Sequence, residues 1–323
     1  MDTMAVVLEE PKHLVLRRLE LTTPGEDDVI VEVAWTGVST GTERLLWSGA
    51  MPPFPGMGYP LVPGYEAVGQ VVWTGARSGR SVGDWVFVPG SKGFAGAHGL
   101  FGAAARRLVA PGDRVVPVLE GMGEQACLLA LAATAEHAIR GSAPIGESDA
   151  PNRPLGPALV VGHGALGRLL ARLLMAREDA PPPMVWETNP DRRTDEDYPV
   201  LDPSADEGTE YETIYDVSGD PEILDVLIPR LRRGGEVVLG GFYARSVAFH
   251  FPPAFMKEAR IRVAAEWVPR DLREVLKLLK EERMTLDGLV THREMAAQAP
   301  DAYRTAFEDP RCVKMILDWR GTA

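Results

Sequence analysis

Ala158-Leu159-Val160-Val161-Gly162-His163-Gly164-Ala165-Leu166-Gly167 is the stretch from which the fold can be read. Four apolar residues run into a Gly-x-Gly-x-x-Gly turn. Behind it Leu166, Leu169, Leu170, Leu173 and Leu174 recur at helical spacing, with Arg168 and Arg172 on the other side. Strand, tight turn and helix in that order form the context of a dinucleotide-binding fingerprint. Gly162 permits the sharp turn, Gly164 lets the backbone approach a pyrophosphate, and Gly167 lets the helix pack close to the strand. The helix N-terminus then turns free N–H groups and its positive end toward the phosphates. A second short strand, Met184-Val185-Trp186, ends at Glu187, 20 residues after Gly167. An acid there accepts the ribose hydroxyls of NAD and repels the 2′-phosphate of NADP. The expected cofactor is therefore NAD, held by Gly162, His163, Gly164, Ala165, Leu166, Gly167 and Glu187. Arg192 and Arg193 lie close enough to blur the distinction from NADP. The competing reading is an ordinary strand–helix unit with glycines at its turn.

Length and composition narrow the rest. The 323 residues suffice for two domains and a large core, and 45% hydrophobic with 25% charged residues is ordinary for a globular chain. A net charge of −12 argues against nucleic acid as a partner, since such binders concentrate basic surface. Two cysteines, Cys127 and Cys312, are too few for a disulfide framework. The beginning lacks a basic segment followed by an apolar one, and the most apolar run, Ala126 to Ala135, is too short to span a bilayer. A cytoplasmic protein is expected.

Residues before about 120 read as β-rich. Val29–Val33, Gln70–Trp73 and Asp84–Val88 have strand character, with Gly75, Gly79 and Gly83 between them, which suggests a barrel or sandwich. Met51-Pro52-Pro53-Phe54-Pro55-Gly56-Met57-Gly58-Tyr59-Pro60 cannot be regular structure, because its prolines lack donors. It is either a lid over the core or a wall of a ligand site. From Glu124 to Arg140 the pattern is helical, followed by the proline-containing connection Pro144–Pro157. After the opening unit come a strand, Thr213–Val217, ending in Ser218-Gly219; a helix, Pro221–Arg232; and the strands Glu236–Gly241 and Ile261–Glu266. Ser218 and Gly219 are expected to join the cofactor site. Alternating strands and helices predict a parallel, doubly wound sheet. Asn189–Glu212 is too rich in prolines and acids for the usual helices, so that half of the sheet should be reduced. The tail carries a helix with Leu272, Val275, Leu276 and Leu279 on one face, then a strand at Val313–Leu317. No internal repeat is present.

With Val62-Pro63-Gly64-Tyr65-Glu66-Ala67-Val68-Gly69 and Val82-Gly83-Asp84-Trp85-Val86, this order resembles the medium-chain dehydrogenase/reductase superfamily along essentially the whole chain. The resemblance implies an α/β protein: a β-rich GroES-like catalytic domain (1–123), a Rossmann-type doubly wound parallel sheet (124–268) and a return segment (269–323) packing on the catalytic domain. Gly37-Val38-Ser39-Thr40-Gly41-Thr42-Glu43, the Met/Pro/Phe loop and Pro63-Gly64-Tyr65-Glu66 look like the bacteriochlorophyllide dehydrogenase branch. That branch implies oxidation of the C3 1-hydroxyethyl group of a chlorin to acetyl with NAD⁺ as hydride acceptor. The substrate would be a small-molecule tetrapyrrole.

The zinc alcohol dehydrogenases of this superfamily hold a catalytic metal through a cysteine, the histidine of Pro-Gly-His-Glu and a later cysteine or acid. Here the first place holds Ser39 and the second Tyr65. Near the third, Ala130 stands four residues before Thr134, with Cys127 one helical turn earlier. A hydroxyl, a phenol and an apolar side chain do not make a tetrahedral nitrogen/sulfur site, and no metal is expected. Something else must then take the alcohol's proton. Tyr65 stands at the lost ligand position as a phenol or phenolate; its alternative is a tyrosine packed at the domain interface. Thr42 matches a hydroxyl that relays protons in relatives, and Glu43 and Glu66 match acids that support the site. His98 is a base, an axial ligand for a chlorin magnesium, or a surface histidine. Thr134 matches a residue near the nicotinamide. Trp47, Met51, Phe54, Met57, Tyr59, Phe94, Phe101 and Phe242 are candidates for an apolar macrocycle pocket. Two other functions fit the same residues: a zinc-free quinone or enoyl reductase preferring NADPH, and a non-catalytic NAD(H)-binding sensor or scaffold. A homodimer is expected through the sheet edge near Glu236–Gly241 and Ile261–Glu266.

Overall fold

The computed structural model describes residues 1–53, 55–141, 156–178 and 180–322. Phe54 and most of the connection 144–157 lie outside the described residues. The chain forms two compact units: Met1–Ala130 with Asp287–Ala323, and Leu131–Leu286.

The first unit begins with the antiparallel hairpin β1 (Asp2–Glu10) and β2 (His13–Glu20), which the sequence reading had not singled out. β3 (Asp28–Val38), α1 (Thr42–Ser48), β4 (Ala67–Thr74), β5 (Trp85–Val88), β6 (Arg107–Pro111) and β7 (Val116–Pro117) follow. β3 is the central strand. It pairs antiparallel with β4 and with β6, and Val29, Val31 and Val33 along it are buried. β-branched residues suit the pleated surface, and each fully buried valine contributes about 1.5–3 kcal/mol. β4 continues to β5 and β5 to β7.

α2 (Leu129–Arg140) leads into the second unit, whose elements are β8 (Ala158–Val161), α3 (Ala165–Met175), β9 (Met184–Trp186), β10 (Val200–Leu201), β11 (Tyr211–Asp216), α4 (Leu224–Leu227), β12 (Leu231–Leu239), α5 (Phe251–Lys257), β13 (Arg260–Val263) and α6 (Pro269–Lys280). The sheet order is β10-β9-β8-β11-β12-β13, every pair parallel. This is the doubly wound order, with its switch point between β8 and β11. The expected thin half is present: β10 has two residues, and only short 3₁₀ turns, Pro190–Arg192 and Pro203–Ala205, accompany it. The expected helix Pro221–Arg232 is shorter than its pattern, because Pro229 cannot donate and the chain is already strand at Leu231.

The chain then returns to the first unit. β14 (His292–Met295), α7 (Ala299–Glu308) and β15 (Met315–Asp318) complete it, with β15 antiparallel to β3 and β14 parallel to β15. Tyr303, Phe307 and Trp319 join the same core as the β3 valines. Among the described residues no helix is long and apolar enough to cross a membrane.

Candidate active site

The glycine turn sits where β8 meets α3 in the second unit. Gly162 has φ of +103°, which a side chain would resist, and its N–H donates to the Trp186 carbonyl at 2.9 Å. A Cβ on Gly167 would lie 1.8 Å from the Gly162 oxygen, so the helix reaches this close only without one. A Cβ on Gly164 would meet nothing nearer than Arg192 Nη1 at 4.0 Å, leaving the face that must admit phosphates open. Glu187 is buried at the end of β9 and accepts the N–H groups of His163 (3.0 Å) and Asn189 (2.8 Å). Ser218 and Gly219 lie across the switch point, with Ser218 N 3.4 Å from a Cβ on Gly162. Asp216 fixes that corner by accepting from Ser218 N, Ser218 Oγ and Tyr243. The turn and these neighbours form a cradle suited to a dinucleotide, with Glu187 beside it just after β9. His163 departs from a simple cofactor contact: its buried ring points into the segment after β9. Thr134 is half-buried on α2.

In the first unit a second cluster forms around Tyr65. Its hydroxyl donates to Ser39 Oγ at 2.6 Å, and Phe101 meets its ring edge-on at 5.3 Å. Burial pushes the phenol up, the charges of Glu66 and Glu43 push the same way, and hydrogen bonds to Ser39 and Thr42 oppose them. Tyr65 is thus a neutral phenol near pH 7. Glu66 is fully buried against Lys314, whose Nζ donates to its two oxygens at 2.8 and 3.0 Å and to the Val38 carbonyl at 3.4 Å. A Cβ on Gly37 would collide with Glu66 Oε2 at 2.0 Å, which is why the β3 end is glycine. Glu43 is equally buried and accepts Ser39 N–H at 2.9 Å and the Tyr303 hydroxyl at 2.8 Å. Burial lifts its carboxyl to about 7; the two hydrogen bonds and Lys314 pull it down, and Glu66 pushes it up.

Ser39, Thr42, Glu43, Tyr65 and Glu66 therefore come together. His98 stands apart: it is exposed, and its ring lies over Gly58. Met51 and Phe94 are buried in the first unit's core, with Trp47, Met57, Tyr59 and Phe101 packed against that core. Phe242 lies in the second unit and is 40% exposed. Tyr303 and Lys314 were missed by sequence reasoning, although a lysine inside the apolar stretch Val313–Leu317 is a signal that a buried cation needs an anion. The residues at the lost ligand positions do not suit zinc. Ser39 and Tyr65 are already bonded to each other, and Cys127, fully buried, has its thiol pushed well up by burial, so a thiolate is disfavoured. Among the described residues no three histidine, cysteine or acidic side chains converge to hold a metal ion.

Comparison with known proteins agrees with this architecture. Residues 25–120 match the family model described as the alcohol dehydrogenase GroES-like domain. An Escherichia coli alcohol dehydrogenase solved with NADH superposes with a TM-score of 0.82 at 19% identity, covering 98% of this chain and 99% of that one. A 2-desacetyl-2-hydroxyethyl bacteriochlorophyllide A dehydrogenase from Rhodobacter capsulatus is 52% identical over 322 residues, 99% of each chain. The protein of the same name from Cereibacter sphaeroides is 51% identical over the whole of both chains. Sharing half its residues with both along their entire length, this chain belongs to the family of the bacteriochlorophyllide dehydrogenases.

Proposed function

We propose that this chain oxidises the hydroxyethyl side chain of a bacteriochlorophyllide to acetyl, with NAD⁺ as hydride acceptor and without zinc. The observation that carries the reading is full-length likeness to two dehydrogenases named for that substrate. The glycine cradle and Glu187 support NAD, which when bound supplies the hydride acceptor. The protein's own part is the alcohol's proton. Because Tyr65 is held neutral, it takes that proton as it passes its own to Ser39 Oγ, and no free phenolate is needed. The hydroxyls of Tyr65, Ser39 and Thr42 form the relay, and half-buried Thr42 is its outlet, where solvent water takes up the proton. Trp47, Met57, Tyr59 and Phe101, half-buried around the first unit's core, offer the apolar faces a flat macrocycle needs.

The test is incubation with NAD⁺ and a 3-hydroxyethyl pigment, following the pigment's absorption band with and without a chelator. The expected result is a band shift that the chelator leaves unchanged. An unshifted band with NADH still bound would favour the sensor reading, and a preference for NADPH the reductase reading.

A homodimer is part of the proposal, as is residence in the cytoplasm. β13 is an edge strand whose Val263 is 65% exposed, and Phe251 and Phe255 on α5 are as open. Val263→Lys should convert the dimer to monomer in light scattering; a wild type that is monomeric at all concentrations refutes this part.

A further inference from the structure

His98 is exposed, yet the loop that carries it is fixed on two sides. Its N–H donates to the Pro60 carbonyl and its carbonyl accepts from Val62, each at 2.8 Å. Further along, Ala103 N–H donates to the Gly64 carbonyl at 2.8 Å, so the loop runs beside the segment that leads into Tyr65. Behind it, Ser91 N–H donates to the Phe101 carbonyl at 2.7 Å. A Cβ on Gly99 or Gly102 would come within 2.5 or 2.0 Å of the Ser91 oxygen, so the two stretches touch only because those side chains are absent. Phe101 has φ of +49°, a left-handed conformation that a bulky residue rarely takes, and its ring is the one that meets Tyr65. Strain of this kind gathers at functional sites.

Among the described residues the His98 side chain has no hydrogen-bond or ion-pair partner. A Cβ on Gly58 would stand 2.8 Å from its Nε2, 3.0 Å from Cδ2 and 3.2 Å from Cε1. Distances so nearly equal put Gly58 over the face of the ring; an approach along the Nε2 lone pair would leave the two carbons well behind the nitrogen. The lone pair of the neutral ring lies in its plane, and Gly58 does not cover it. Met57, Tyr59 and Phe101 stand around it half-buried, and Tyr59 is pinned by its hydroxyl on the Leu46 carbonyl at 2.6 Å. From Leu61, paired with His98, to Tyr65 the chain spans at most about 14 Å, the scale of one tetrapyrrole disc. Magnesium in water prefers oxygen, but inside a tetrapyrrole it already holds four nitrogens and keeps an open axial place that a neutral imidazole fills.

We propose that His98 is the axial ligand of the magnesium in the bacteriochlorophyllide substrate, fixing the centre of the disc beside the Tyr65 cluster. The inference rests on the substrate reading given above.

Absorption titration without NAD⁺ tests it apart from turnover, using the 3-hydroxyethyl bacteriochlorophyllide and the same pigment stripped of its magnesium. His98→Ala should weaken the magnesium pigment about tenfold, the scale of one strong polar contact, and leave the metal-free pigment unchanged. Added imidazole should restore part of that loss. His98→Phe keeps a flat ring over Gly58 without a lone pair, and should lose the magnesium pigment in the same way; a mere wall residue would tolerate it. Unchanged affinity for the magnesium pigment in both variants, or losses equal for the two pigments, would overturn the proposal. A wild type that binds neither pigment would instead remove the substrate reading beneath it.

Discussion

Replacing Lys314 by Met removes a charge while keeping an unbranched stem of similar reach. Lys314 is 1% and Glu66 0% exposed, and the ammonium reaches both carboxylate oxygens. The variant leaves Glu66 facing the bare Gly37 backbone and the charge of Glu43, with no cation. Stripping one partner from a buried pair costs about 3–5 kcal/mol. In a unit of this size each kcal/mol moves the melting midpoint by about 2–4 °C, so a fall of roughly 6–20 °C is expected for the first unit. The loss depends on pH with a definite sign. Burial already raises the Glu66 carboxyl, and Lys314 opposes that rise. Without Lys314 the folded-state value climbs further above that of the unfolded chain. The variant therefore keeps its stability in acid, where Glu66 is protonated in both states, and loses it as the pH rises toward the raised value. Scanning calorimetry at acid and alkaline pH should show the gap from wild type widening with pH. Lys314→Met combined with Glu66→Gln should recover most of the loss, since no buried charge remains. A single variant within about 1 kcal/mol of wild type, or a double variant no better than the single, would refute the ion-pair argument.

Tyr65→Phe should lower kcat by about 10²–10⁴-fold, the range for a lost proton-transfer group, with NADH affinity unchanged because the glycine turn belongs to the other unit; steady-state kinetics at wild-type rate would remove Tyr65 from the mechanism. Glu43 titrates at about 7 when folded, well above an ordinary carboxyl. Its contribution to stability is present below the unfolded value near 4.3 and lost as the pH rises through about 7, about 4 kcal/mol in all. Glu43→Gln should flatten that part of the stability profile in denaturant melts, and an unaltered slope would show that another group titrates. Gly167→Ala places a carbon on the Gly162 carbonyl; NADH binding should be abolished, and retained binding by calorimetric titration would mean that the turn can open without it.

The features legible in the sequence are those whose physics is local. The turn Gly162–Gly167 and the acid at Glu187 belong to one strand–helix–strand unit, so a single window holds the signal, and alternating strands and helices were enough to place β8, β9, β11, β12 and β13 in a parallel sheet, while the two-residue β10 gave no pattern to read. α5 was hidden by its own start. Phe251-Pro252-Pro253 reads as a breaker, yet in a first helical turn the missing N–H groups have no partner to lose. The Tyr65 cluster was legible only on its N-terminal side. Glu66 finds Lys314 248 residues away and Glu43 finds Tyr303 260 residues away, distances at which periodicity carries no information.

The pairing also follows a constraint that sequence alone does not state. Two buried carboxylates face one buried ammonium, and only one of them bonds to it directly, the other feeling its charge at longer range. Lys314 donates to both oxygens of Glu66, and Glu43 is left with one backbone N–H and one phenol. That difference makes Glu43, and not its neighbour of almost identical chemistry, the carboxyl lifted to about 7 by burial that hydrogen bonding only partly offsets. β15 pairs with β3 so that Met315 stands opposite Val38, and Lys314, the residue before it, donates to the Val38 carbonyl and to Glu66.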